Sequence, residues 1–187
     1  MLTWLKRRLA LRRAEPRVKM HFATAKGSHF QRSLIAASMV EIEEEIVRRE
    51  RERLPKEQQP VFMMTYECFV MWSLKRGFEA VIGAQETESA IETIRDHFAT
   101  HAWYELGSFE RIWASIQAEM PSSLTPKGQF GIIYPIADMV VAANLAGFSF
   151  EVPTDYVFGV HVIQRIKLLA DFGRDLAEEH VTATQKG

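Results

Sequence analysis

The residues best spaced for chemistry are the histidines of Asp96-His97-Phe98-Ala99-Thr100-His101. Histidines four apart share one face of a helix, a spacing that a divalent metal or a haem edge can use. On a helical projection, His97, His101 and Tyr104 fall together at the flank of a stripe formed by Ile91, Ile94, Phe98 and Ala102. A metal needs further ligands, and His161, Asp138 and Glu41 are the candidates, although nothing in the sequence brings them to the pair. Neither H-E-x-x-H nor the paired E-x-x-H of di-iron bundles is present. The sequence therefore favours structural or exposed roles for His97 and His101. Metal or haem binding is the alternative, and no cofactor is expected.

Other chemistry has less support. There is no G-x-S-x-G, and the single cysteine, Cys68, has no neighbour in sequence placed to lower its pKa. No glycine-rich loop is present to cradle phosphates. Asp171 and Asp175 lie one turn apart, but Arg174 beside them and Lys167 one turn back make an exposed ion-pair surface rather than an acid–base dyad. The reading disfavours an enzyme.

The body that must position these residues has ordinary globular composition. Of 187 residues, 47% are hydrophobic and 25% charged, which suits one domain with a sizeable core. Disorder, a collagen-like repeat and a disulfide-stapled scaffold are all excluded on composition. The net charge of −1 conceals an asymmetry. Residues 1–32 carry nine bases against the single acid Glu15, a net of +8; the remaining 14 bases face 23 acids, a net of −9.

Residues 1–19 hold Trp4, Lys6, Arg7, Arg8, Arg12, Arg13, Arg17 and Lys19, the candidate contacts to an anionic surface. Lysine and arginine interrupt Leu2, Leu5 and Leu9, so no signal-peptide run exists. A reducing, intracellular compartment is expected, cytoplasmic or, in a eukaryote, the mitochondrial matrix. Trp4 and the leucines among bases suit a membrane interface, although the projected apolar face is not clean. Clustered bases also suit nucleic acid, without any accompanying zinc-ligand or RNP-like pattern.

From residue 28 the pattern is helical. Ser28 caps a helix predicted to run to about Arg53, with Ile35, Met39, Ile42 and Ile46 on one face and a solvated charge run in its second half. Within that run Glu44–Arg48 and Glu45–Arg49 make i,i+4 pairs. Pro60 opens a helix whose residues 61–72 contain one charge, Glu67, so that helix must be enclosed. Ser89 and Glu92 form a capping box opening the helix of Ile91 and Phe98. Ser108 restarts a short helix, with Phe109, Ile112, Trp113, Ile116 and Met120 on its face. Residues 135–146 form a second apolar, buried helix, and Thr154 or Asp155 caps a last helix reaching about His180.

The expected architecture is all-α, a single irregular bundle of five to seven helices. A basic arm covers 1–27, the helical domain 28–180 and a disordered tail 181–187. The expected function is a non-enzymatic interaction protein, such as an adaptor, assembly factor or regulator, that binds a protein partner. Its arm contacts an anionic membrane surface or nucleic acid, and the chain is not an integral membrane protein.

Overall fold

The computed structural model describes residues 16–119 and 156–185, and these form an all-α bundle with no strand among them. Seven helices are present in the described residues: α1 (16–24), α2 (His29–Ile42), α3 (Glu45–Arg53), α4 (Gln59–Phe78), α5 (Ala84–Phe98), α6 (Leu106–Glu119) and α7 (Tyr156–Thr184). The apolar helix expected over 135–146 and Asp138 lie outside the described residues, as do Trp4, Lys6, Arg7, Arg8, Arg12 and Arg13.

α4 is the centre. Every residue from Phe62 to Leu74 is buried, as a stretch with one charge in twelve residues requires. Its longest contact is along α7, and α6, α2, α5 and α3 close the remaining sides. Each fully buried Phe, Leu or Met contributes about 1.5–3 kcal/mol relative to exposure. Phe62, Phe69, Met71 and Leu74 on α4 meet Leu34 from α2, Ile94 and Phe98 from α5, Ile112 from α6 and Phe158 from α7 in one core. No helix among the described residues is long and apolar enough to cross a membrane.

α4 and α7 approach backbone to backbone. A Cβ added at Gly77 would stand 1.9 Å from the Ala170 carbonyl oxygen, and one at Gly173 would stand 2.6 Å from that of Leu74. The buried stripe of α7 accordingly runs Phe158, Val162, Ile166, Leu169, Gly173, Ala177, tapering to small residues at the crossing. Phe172 and Leu176 pack half-buried at its side.

Local signals explain the helix boundaries in part. Gly27, at φ 107°, makes the turn into α2 in a conformation that L side chains rarely adopt. The Ser28 hydroxyl accepts from the Gln31 N–H, and the Gln31 side chain accepts from the Ser28 N–H at 2.9 Å, a reciprocal capping box. Pro60 lies in the first turn of α4 as expected.

Five expected boundaries are corrected. The helix predicted over 28–53 is broken at Glu43 and Glu44, where the backbone leaves the helical region (Glu44 ψ 137°) before α3 begins. The Ser89–Glu92 capping box does not form: α5 starts five residues earlier, after Gly83, and Ser89 lies exposed within it. α5 stops at Phe98, so His101 and Ala102 are not on its helical face; the next amides make tight bonds, Thr100 to His97 and His101 to Phe98. α7 continues through residues 181–184, which were expected in a tail. Start of α6 is one to two residues ahead of Ser108, because the Glu105 carboxylate accepts from the N–H groups of Gly107 and Ser108.

Candidate functional site

Among the described residues Glu41, Glu50 and Glu67 are buried carboxylates; Glu50 pairs with Arg53 one turn on, whereas Glu41 and Glu67 each gather side chains from distant parts of the chain. Glu67 projects from α4 with no exposed surface. Its Oε1 accepts two hydrogen bonds, from His101 Nδ1 at 2.6 Å and from Trp103 Nε1 at 2.7 Å. Its Oε2 is buried without a partner. Burial pushes the Glu67 carboxyl above its ordinary pKa, and the bonds from His101 and Trp103 pull it partly back.

Glu41 comes from α2. Its Oε1 accepts from the Tyr66 hydroxyl of α4 at 2.8 Å and lies 3.3 Å from His161 Nε2 of α7. Its Oε2 faces Arg165 Nε at 3.2 Å. Burial, followed by the charge of Glu41, pushes the Tyr66 hydroxyl well above its usual range, so it stays protonated and donates. The Tyr66 oxygen is in turn 3.3 Å from His161 Nε2. One carboxylate therefore ties α2, α4 and α7 together.

This cluster continues to the surface and reaches the basic segment. Arg165 also lies 3.6 Å from Glu44 Oε1, and the same oxygen faces Arg17 Nη2 of α1 at 3.4 Å. Arg17 Nη1 donates to the Glu43 carbonyl at 3.5 Å, and His21 Nε2 meets the Glu43 carboxylate at 3.0 Å. His21 and Ala25 are buried, so residues expected in the arm belong to the packed body. The α2–α3 break lies within these contacts: Glu43 and Glu44 both meet α1, and Glu41 and Glu44 share Arg165 of α7.

The candidate ligands thus separate. His101 is committed to Glu67 through Nδ1, and His97 stands with its ring 6.2 Å from that of His101, edge to face. His97 is held below its ordinary pKa by burial first and then by the positive charge of His101 and His21. His161 and Glu41 meet each other, in the other cluster. Among the described residues, no group of three or more His, Cys, Asp or Glu side chains converges as metal ligands. Cys68 is buried, and burial pushes its thiol well above the ordinary range. Asp171 pairs with Arg174 at 3.0 Å. Asp175 lines a shallow depression on the last turns of α7 with Glu178, Glu179, Thr182 and Ala183, and neither Glu41 nor Glu67 opens into it.

Sequence reasoning missed Tyr66, Trp103 and Arg165 and treated Glu67 only as a lone charge. The available signal was that lone charge itself, since a carboxylate inside an enclosed helix must find donors. Chemically, both centres are carboxylates held by the chain's own donors: imidazole and indole N–H groups at Glu67, and a phenol, an imidazole and a guanidinium at Glu41. Comparison with protein-family models, with curated proteins and with solved structures found no match.

Proposed function

We propose that this is a non-catalytic helical interaction protein: a closed bundle that carries the basic segment of residues 1–19 to an anionic lipid surface. The observation that carries the reading is the attachment of that segment. Its charge is concentrated before residue 20, and Arg17 and His21 fasten it to the α2–α3 turn. Glu41 and one oxygen of Glu67 are already matched by His101, Trp103, Tyr66, His161 and Arg165, which supports a scaffold rather than a reactive centre. Seven Lys and Arg lie in residues 1–19. Each base near an anionic leaflet contributes about 1 kcal/mol, so the segment carries enough for reversible attachment. Trp4 and the leucines at 2, 5, 9 and 11 favour lipid over nucleic acid.

Docking of a protein partner on the body has less to draw on. The apolar α4 is enclosed, and the exposed large hydrophobic side chains among the described residues are Met20, Leu106 and Leu168, which form no stripe. Co-sedimentation with equimolar phosphatidylserine–phosphatidylcholine vesicles tests the reading. The full chain should pellet with them and not with pure phosphatidylcholine, and deletion of residues 1–13 should abolish it. Equal binding after deletion refutes the reading, as does binding to duplex DNA but not to vesicles.

A further inference from the structure

α1 differs from the other helices in what holds it. His21 is its buried residue, with Ala25 buried just past its end, Met20 is 53% exposed, and Phe22 is half-buried between His29 and the Arg32 guanidinium, 4.4 Å over its ring. Arg17 and His21 attach it to two consecutive residues, Glu43 and Glu44. An anion built into the fold therefore meets the end of the basic segment.

We propose that the Glu43–Glu44 turn is an autoinhibitory anion, holding α1 in cis and competing with an anionic lipid surface for Arg17 and His21. This rests on the arm reading above and adds its regulation. Two features make the contact displaceable. First, Glu44 Oε1 is shared between Arg17 at 3.4 Å and Arg165 at 3.6 Å, so departure of Arg17 leaves the carboxylate with a cation. Glu43, with its side chain 39% exposed, is left to water. The turn therefore loses α1 without burying an unpaired charge.

Second, the magnitudes favour exchange. A partly exposed pair changes an equilibrium by no more than about five-fold. A base brought to an anionic leaflet changes it by about the same factor, and seven bases act together. The surface therefore outcompetes the turn, while the turn lowers apparent affinity and sets a threshold in surface charge.

The test compares full-length proteins on equimolar phosphatidylserine–phosphatidylcholine vesicles. Glu43→Gln/Glu44→Gln should bind roughly three- to ten-fold more tightly than wild type. Glu79→Gln/Glu88→Gln, which removes the same charge from exposed positions elsewhere, should stay within about two-fold of wild type. If the double variant loses helicity, Glu43→Gln alone, at an exposed side chain, gives the same comparison with a smaller gain. Arm-dependent binding in which the turn variant is no tighter than the control overturns the latch and leaves the arm reading standing. Failure of every protein to bind the vesicles overturns both.

Discussion

Removal of the His101 imidazole exposes what the Glu67 centre is worth. In His101→Ala, the carboxylate loses its closest donor, at 2.6 Å; Trp103 remains at 2.7 Å. Oε2 is already bare, so no second oxygen has bonding to lend. Leaving a buried charge unpaired in this way costs about 3–5 kcal/mol, or a fall of roughly 6–20 °C in Tm for a chain of this size. Glu67→Met keeps the volume and removes the charge. It leaves His101 Nδ1 and Trp103 Nε1 without their acceptor, at about 1–3 kcal/mol, but also removes the desolvated ion, so it should lie within about 2 kcal/mol of wild type. The combined variant should recover most of the loss of His101→Ala. Urea unfolding followed by circular dichroism measures all three. A Glu67→Met variant as unstable as His101→Ala, or a double variant no better, would refute an uncompensated charge as the cause.

The same centre fixes a pH dependence. The folded-state pKa of Glu67 is raised, burial being the largest cause. Its contribution to stability is fully present below the unfolded carboxylate pKa and is lost as pH rises through the folded value. Loss of the His101 donor raises that value further, so the deficit of His101→Ala should shrink as pH falls from neutrality towards the ordinary carboxylate range. An unchanged deficit over that interval would point to lost packing instead.

Further outcomes follow from local geometry. Gly77→Ala places a methyl 1.9 Å from a backbone oxygen of α7, so the two helices must separate, at about 3 kcal/mol or more; Gly83→Ala, with open space around it, should shift the urea midpoint by a small fraction of that. Ser28→Ala removes the capping box of α2 and should lower stability by about 1 kcal/mol, measured in the same way. Cys68 should resist aromatic disulfide reagents in the native protein and react at the rate of global unfolding, because its thiol is buried and its pKa well raised.

Elements specified by neighbours in sequence were legible, and those specified by remote contacts were not. The enclosed α4 follows from one charge in residues 61–72, and the start of α2 from Ser28. The break at Glu43 and Glu44 was invisible because Ile42 and Ile46 continue the helical period across it; the residues that meet it, His21, Arg17 and Arg165, are all far away in sequence. Ser89 and Glu92 carry the right residues for a cap, yet the helix already runs from Ala84, with Thr87 buried upstream of them. At the buried centres, the need of Glu67 for donors was readable, but their identity was not. His101 and Trp103 are 34 and 36 residues away, and Tyr66 and His161 are separated by 95. The early end of α5 takes His101 off the helical face, since spacing four means one face only while the helix lasts, yet its ring still stands 6.2 Å from that of His97.

The position of α7 in the chain sets an order of events during synthesis. α4 ends at Phe78 and α7 starts at Tyr156, so the longest flank of the most apolar helix is uncovered while the intervening chain is made. At ordinary translation rates that interval is roughly 4–16 s. Throughout it Glu41 and Tyr66 lack His161 and Arg165, and Gly77 lacks the backbone against which it fits. The apolar flank of α4 and the polar cluster at Glu41 thus wait on the same late helix, and α7 supplies the partner of both.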